Sequence, residues 1–263
     1  MSRPKIRVFN LVEVVTTVYR DLFPEWAKDG YEVEVFMSGL DYREGTEADW
    51  VTGGVRIVRT PVVPFLPKRL GAVLGFLLAA PIKSLAGGKA HVNLFLTQPP
   101  LFFVWGVVLE KLGRGPFKVV LMDMYPEVPI AAGVLSPKSS LVRLLTRLSN
   151  FGLRRASTVV SIGRHMSELI RQKGVSERKI ALIPNWSDES VVRPVPHHEN
   201  ALRRENGWAD RFVVLYSGNM GVAHEFDSIM DVAERMTDRP DILFAFVGAG
   251  SRCLLYTSDA ADE

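Results

Sequence analysis

Residues 158–183 read TVVSIGRHMSELIRQKGVSERKIALI and contain one complete strand–helix–strand pattern. The apolar run at 158–162 predicts a strand, residues 164–173 predict a helix that ends at Gly174, and residues 180–183 predict the next strand. A helix between two consecutive strands allows those strands to lie parallel in one sheet. This segment therefore predicts an α/β fold.

The same alternation extends in both directions along the chain. It predicts strands at residues 6–11, 32–37, 55–60, 92–97, 118–122, 212–216 and 241–247, and helices at 17–28, 140–155 and 224–236. Prolines and polar residues gather after residue 185, which is typical of a linker. We predict a first domain over 1–188, a linker over 189–204 and a partial second domain over 205–252.

The last eleven residues differ from the rest of the chain. One back-translation of residues 253–263, CLLYTSDAADE, resembles a sequencing adapter used for transposase-prepared libraries. We therefore expect this tail to be adapter-derived and the natural part of this chain to end near Arg252, where the gene was cut off. Two strands and one helix are too few for a complete Rossmann-like domain. This count independently predicts that the second domain is cut short.

The composition is that of a globular protein, with 47% hydrophobic and 23% charged residues and a formal net charge of +3. This small basic excess does not indicate a nucleic-acid binder, which needs a clustered basic face. The single cysteine excludes a disulfide framework and a cysteine-based zinc site. Residues 1–10 do not have the pattern of a signal peptide, so we expect a cytoplasmic location.

Residues 70–82 form the most apolar stretch, which is shorter than the roughly 20 residues that span a bilayer. Lys68 and Arg69 precede it and Lys83 follows it. Basic residues around an apolar helix suit an anionic membrane surface, but buried helices also carry basic ends. The stretch is therefore either a buried helix or a membrane-facing one.

Two glycine-containing turns follow predicted strands of the second domain. Gly218, Asn219 and Gly221 join a strand to a helix, where backbone N–H groups can approach a phosphate. The alternative is a tight turn without a ligand. His224 at the helix start would contact an anion or cap the helix. The turn that contains Gly248 and Gly250 lies at the carboxyl end of the next strand, the edge at which open α/β sheets bind ligands.

Two carboxylates follow the strand predicted at 118–122. Asp123 and Glu127 lie at its carboxyl end, where they would act as a base or bind hydroxyl groups. The alternative is that Asp123 caps a turn and Glu127 is exposed. The neighbouring pair His197 and His198 is typical of a solvated linker rather than a metal site, and the chain shows no metal-binding cluster.

Three stretches, taken in order, resemble family 4 of the GT-B glycosyltransferases. The first is the D-x-x-P-E pattern at 123–127, and the third is LYSGNMGVAHEF at 215–226. The second is the segment 156–188 that leads to the linker. Its matching residues are Ser161, Met166, Leu169, Gly174, Val175, Lys179, Ile180, Ile183, Pro184, Asn185 and Asp188.

The resemblance implies two Rossmann-like domains, the second incomplete here, with the acceptor on the first and a nucleotide-diphosphate sugar on the second. It implies a retaining transferase for a lipid-linked or polysaccharide acceptor in exopolysaccharide or O-antigen synthesis, without metal or cofactor. Such an enzyme would lie peripherally on the inner face of the cytoplasmic membrane. Asp123 and Glu127 would then act on the acceptor side. The donor-binding residues would be Gly218, Asn219, Gly221, His224, Gly248 and Gly250.

The chain departs from the family pattern in three places. Residues 10–17, NLVEVVTT, lack the glycine pair that many members carry after the first strand, and His224 stands where many carry an Arg and a Lys. The E-x7-E element of the family would lie beyond residue 252, so we expect this fragment to be inactive. Two other hypotheses are a GT-B nucleotide-sugar 2-epimerase and a non-catalytic scaffold subunit.

Overall fold

The computed structural model describes residues 3–11, 17–39, 54–190, 192–221 and 226–250. The chain divides into two compact units, Met1–Ser187 and Asp188–Glu263. All strand pairings between the described strands are parallel. The predicted α/β fold is therefore confirmed. His224 and the tail at 253–263 lie outside the described residues.

The first unit contains a parallel sheet with the strand order β3-β2-β1-β4-β5-β6-β7. This order reverses between β1 and β4, as in Rossmann-like folds. The strands are β1 (Lys5–Phe9), β2 (Glu32–Ser38), β3 (Val55–Thr60), β4 (Val92–Phe95), β5 (Phe117–Leu121), β6 (Thr158–Ser161) and β7 (Ile180–Leu182).

Helices connect these strands. They are α1 (Thr17–Lys28), α2 (Lys68–Ala86), α3 (Val104–Lys111), α4 (Glu127–Ala131), α5 (Ser140–Arg155) and α6 (Arg164–Gln172). The bounds predicted for α1, β3 and α5 agree with the structure. Most of the other strands are one or two residues shorter in the structure than predicted. Helix α2 is longer than the apolar stretch at 70–82. In the described part of the chain it is the one helix whose length and apolar composition would suffice to cross a membrane.

Each face of the sheet has its own apolar core because alternate residues of every strand point to opposite faces. One core includes Phe9, Phe36, Phe95 and Phe117 and receives side chains from α2, α3, α5 and α6. The other core includes Val8, Val35 and Leu94 and receives Tyr19 and Phe23 from α1. Burial of these aromatic side chains contributes on the order of 2 kcal/mol each to folding.

A row of polar residues crosses four adjacent strands on the face of the sheet that carries the first core. In the strand register Arg56 lies beside Glu34, Glu34 beside Arg7, and Arg7 beside Asn93. Arg7 and Asn93 are fully buried, and Arg7 Nε donates to Glu34 Oε2 at 2.9 Å. Arg56 reaches the other carboxylate oxygen of Glu34 from the exposed side, at 3.3 Å. A buried charge is tolerated only with such partners.

Arg7 also fixes the end of α2 against the sheet. Its Nη2 donates to the carbonyl oxygens of Gly87 and Gly88, at 3.1 and 3.3 Å, where α2 ends. A cation is favourable at this end of a helix because the last carbonyl groups carry partial negative charge. A Cβ on Gly87 would lie 2.8 Å from Arg7 Nη2. The missing side chain of Gly87 therefore makes room for the guanidinium.

The second unit contains the parallel pair β8 (Phe212–Ser217) and β9 (Ile242–Val247), with α7 (Ala201–Glu205) before β8 and α8 (Asp227–Glu234) between the strands. The predicted helix at 224–236 is thus shorter in the structure. Tyr216, Phe226 and Phe246 pack together, with the rings of Tyr216 and Phe226 4.9 Å apart. This aromatic cluster packs the start of α8 against both strands.

We predict that Arg7→Ala lowers the free energy of unfolding of the first unit by about 3–5 kcal/mol, because the buried Glu34 then keeps only the solvent-exposed Arg56 as its partner. Joint replacement of Arg7 and Glu34 by Met should recover part of this loss. Urea unfolding followed by tryptophan fluorescence measures both. Lys28→Ala, which breaks the exposed pair with Glu25, serves as the control and should change little. An Arg7→Ala variant as stable as this control would contradict the prediction.

Candidate functional site

The carboxyl ends of β1 and β4 meet where the strand order reverses, the position at which parallel α/β sheets form a ligand crevice. Asn10 and Leu11 follow β1, and Thr97 and Gln98 follow β4. The backbone N–H of Leu11 donates to the carbonyl of Gln98 at 3.0 Å. This bond fixes the two segments beside each other at the carboxyl edge of the sheet.

Thr97 ties the ends of β4 and β5 together. Its buried hydroxyl donates to the carbonyl of Val120 at 3.3 Å and accepts from the backbone N–H of Met122 at 2.7 Å. These bonds hold the backbone immediately before Asp123. The sequence analysis did not identify Thr97. Its one sequence signal is a hydroxyl residue at the end of an apolar strand, two residues before Pro99.

Asp123 is exposed at the carboxyl end of β5, and Tyr125 beside it is half-buried. Both line a small recess together with Thr97 and Ser149. Burial raises the pKa of the Tyr125 hydroxyl, and the nearby Asp123 carboxylate raises it further. Tyr125 is therefore a neutral hydrogen-bond donor at physiological pH, and Asp123 is an accessible acceptor. Such a pair can bind a hydroxyl group of a ligand.

Glu127 has a different environment from Asp123. It begins α4 and forms an ion pair with Lys173, which follows α6 and is nine-tenths buried. Lys173 Nζ also donates to Asn150 Oδ1 of α5 at 3.2 Å. The charge of Glu127 is thus neutralised by a residue that the sequence analysis did not connect with it. A catalytic role for Asp123 or Glu127 stays a prediction, and this geometry favours Asp123 as the accessible one.

Glu127→Ala should lower the free energy of unfolding by about 1–3 kcal/mol, because Lys173 loses its counter-charge in a buried position. Asp123→Ala should change it by less than about 0.5 kcal/mol, because that carboxylate is exposed. Chemical denaturation of the two variants measures the difference. Equal stabilities would contradict a structural role for the ion pair.

The glycine turn of the second unit runs beside the turn that follows β9. The backbone N–H of Gly218 donates to the carbonyl of Val247, and that of Met220 donates to Ala249, both at 2.9 Å. The Tyr216 hydroxyl donates to the carbonyl of Asn219 at 2.9 Å. The turn that contains Gly218 and Asn219 is therefore held by two hydrogen bonds to the segment after β9 and by one from the side chain of Tyr216.

The glycines in these two turns face different surroundings. A Cβ on Gly248 would lie 1.8 Å from the carbonyl oxygen of Gly218, and one on Gly250 would lie 2.3 Å from that of Met220. Gly248 and Gly250 are thus explained by close backbone packing. A Cβ on Gly218 would meet nothing closer than Tyr216, at 3.5 Å. An added Cβ on Gly218 would thus make only ordinary van der Waals contact and displace no backbone atom. Donor binding by Gly218, Gly248 and Gly250 stays a prediction.

Gly248→Ala should speed hydrogen exchange at the amides of Gly218 and Met220 by about tenfold or more, because the added Cβ pushes the two turns apart. Gly218→Ala is the matched control and should leave the exchange of the β8 and β9 amides nearly unchanged. Mass-spectrometric or NMR exchange measures both variants. The same effect from both substitutions would contradict the packing argument.

A large cavity of the first unit lies away from these motifs. It measures about 620 Å³ and is lined by Tyr19 and Trp26 of α1, by Val120 and Val160 of the sheet, and by Trp186. Parallel sheets are normally covered on both faces. The cavity therefore lies against a part of the sheet face that the described residues leave uncovered. Among the described residues, no three His, Cys, Asp or Glu side chains come close enough together to hold a metal ion.

Two curated relatives of this chain are named as glycosyltransferases. The chain is 34% identical over 166 residues to "Probable glycosyltransferase WbjE" of Pseudomonas aeruginosa, which covers 62% of this chain and 40% of that protein. It is 28% identical over 157 residues to WcaI of Escherichia coli strain K12, a glycosyl transferase assigned to colanic acid biosynthesis, with coverage of 58% and 38%. The chain thus spans about two fifths of the length of these curated relatives.

A solved structure shares the fold at low sequence identity. The crystal structure of Anabaena HepE in complex with UDP has a TM-score of 0.63 and 14% identity, covering 98% of this chain and 64% of that one. This likeness confirms the Rossmann-like fold of GT-B type. The model of the glycosyl transferase 4-like domain matches residues 15–186. The chain therefore belongs to the glycosyl transferase 4-like domain family.

Proposed function

We propose that the full-length protein is a retaining glycosyltransferase. It would move a sugar from a nucleotide-diphosphate sugar to a lipid-linked or polysaccharide acceptor during cell-surface polysaccharide synthesis. The observation that carries this proposal is the family match over residues 15–186, joined to a glycine-containing turn at the carboxyl end of β8. The relatives support it, because one is assigned to colanic acid biosynthesis and a structure of the same fold binds UDP.

In this proposal the first unit binds the acceptor and the second binds the donor. The acceptor hydroxyl forms the new bond to the anomeric carbon on the face from which the diphosphate departs, so the anomeric configuration is retained. The bond from that carbon to the diphosphate breaks, and the nucleoside diphosphate leaves. Backbone N–H groups at Gly218, Asn219 and Gly221 stabilise the negative charge that develops on the diphosphate. Asp123 accepts a hydrogen bond, and then the proton, from the acceptor hydroxyl. The proposal includes no metal ion, since these N–H groups supply the positive charge.

A lipid-linked acceptor would place the enzyme on the inner face of the cytoplasmic membrane. The basic-flanked helix α2 supports a peripheral contact there, because its outward leucines are exposed. An assay of the full-length gene product would identify the donor sugar, its nucleotide and the acceptor.

The assay presents a panel of UDP-, GDP- and dTDP-sugars to the full-length gene product, with and without a membrane lipid extract. We expect release of a nucleoside diphosphate that depends on the acceptor, and NMR of the product should show the anomeric configuration of the donor. Conversion of a nucleotide sugar to its 2-epimer without acceptor would favour an epimerase instead. A folded protein that binds no nucleotide sugar would favour a non-catalytic scaffold.

We predict that Gly218→Val weakens nucleotide-sugar binding by the full-length protein by about 100-fold or more, because the side chain fills the space that the diphosphate needs. Isothermal titration calorimetry with the preferred donor measures the affinity. Ala209→Val is the matched control, because residue 209 is exposed in a turn near the other end of β8. Equal affinities for the two variants would remove the glycine turn from the donor site.

A further inference from the structure

Helix α2 presents an apolar face away from the sheet. Leu70, Leu74, Leu78 and Ile82 are exposed along it, and the last two expose 65% and 70% of their surface. Single exposed leucines are common on soluble proteins, but a row of them on one helix face marks an interaction site. The opposite face of α2 is buried against the first core.

Phe65 extends this apolar face beyond the start of α2. Its side chain is fully exposed, and its backbone has a φ of 71°, in the left-handed region that non-glycine residues rarely adopt. An exposed aromatic ring in a strained position costs free energy in water. A partner that receives the ring would offset this cost.

Helix α5 carries a second exposed apolar row. Leu141, Leu144, Leu148 and Phe151 are spaced three, four and three residues apart, which places them on one side of the helix. Arg143, Arg147 and Arg154 are exposed on the neighbouring stripe. An apolar stripe beside a basic stripe is typical of a helix that lies in a membrane interface.

The two rows face the same side of the molecule. Helix α3 lies between α2 and α5, because Trp105 of α3 donates to Ser84 of α2 at 3.1 Å and a Cβ on Gly152 of α5 would lie 2.6 Å from Phe103. All three helices pack into the core on one face of the sheet. The exposed faces of α2 and α5 therefore both point away from that face.

The charge of this region indicates the chemistry of the partner. Residues 61–109 contain no Asp or Glu but contain Lys68, Arg69, Lys83 and Lys89. Residues 128–167 also contain no acid, and they carry six cations: Lys138, Arg143, Arg147, Arg154, Arg155 and Arg164. Of these, Arg155 pairs with Glu110 of α3 at 3.5 Å. Cations beside exposed leucines suit anionic headgroups above acyl chains. They disfavour a second copy of the same face, since like charges would meet.

We propose that the outward faces of α2 and α5, together with Phe65, form a docking surface for a bilayer rich in anionic phospholipid. Helix α2 lies on the bilayer and does not cross it. Its inner face is packed so closely that a Cβ on Gly71 or Gly75 would lie 2.5 or 1.7 Å from a carbonyl oxygen of residues 61–63. Membrane binding itself does not depend on the proposed function. Its role does, because it would bring the acceptor side to a lipid-linked substrate.

Vesicle flotation of the 263-residue chain tests the proposal. We expect binding to vesicles of phosphatidylcholine with phosphatidylglycerol, little binding to phosphatidylcholine alone, and weaker binding as salt rises. The apolar variants are Leu78→Ser with Ile82→Ser, and Leu144→Ser with Leu148→Ser. Each pair should lower the partition coefficient about tenfold or more. Arg143→Gln with Arg147→Gln should lower it about tenfold.

Two matched controls lie outside this surface: Leu202→Ser on α7 and Arg178→Gln after α6, both at exposed positions. They should bind vesicles like the unchanged chain, and circular dichroism should show that all variants are folded. No vesicle binding, or equal binding by every variant, would overturn the proposal. So would sedimentation that shows a dimer which the leucine substitutions dissociate. The readout is lipid binding alone, so a failure here is distinct from a failure to bind nucleotide sugar.

Discussion

The buried guanidinium of Arg7 is the interaction on which the first unit depends. It lies in the middle of the sheet, where it pairs with Glu34 of β2, faces Asn93 of β4 and holds the last carbonyls of α2. The same guanidinium therefore fixes the strand register, the position of α2 and the loop before β4. Because the cost of an unpaired buried charge is large, other registers of these strands are excluded.

A few side-chain contacts likewise organise the carboxyl edge of the sheet. Thr97 fixes the backbone before Asp123, and Lys173 neutralises Glu127. The two carboxylates of this short motif therefore have different environments. One holds α4, α5 and α6 together, and the other is left accessible to a ligand. In the second unit, Gly248 allows close backbone packing, whereas a Cβ on Gly218 would displace no backbone atom.

Local patterns predicted much of the fold, since α5 and β3 have the predicted bounds and the alternation of strands and helices gave the parallel α/β class. The helix predicted at 224–236 ends earlier in the structure, because the N–H groups of Met236 and Thr237 donate to carbonyls three residues back and form turns instead of continuing the helix. Contacts between distant residues could not be predicted. Lys173 looks like an ordinary helix-ending cation, and its pairing with Glu127, 46 residues away, arises only when the sheet assembles. Arg7 and Glu34 likewise fit an alternating strand pattern that gives no sign of their mutual burial.

The central claim is that the donor diphosphate lies against the backbone of the turn after β8. Hydrogen exchange of the full-length gene product, with and without the nucleoside diphosphate of its donor, tests this claim most directly. The account predicts that the ligand slows exchange at Gly218, Asn219, Met220 and Gly221. Protection confined to the carboxyl edge of the first unit, with the turn unchanged, would contradict it.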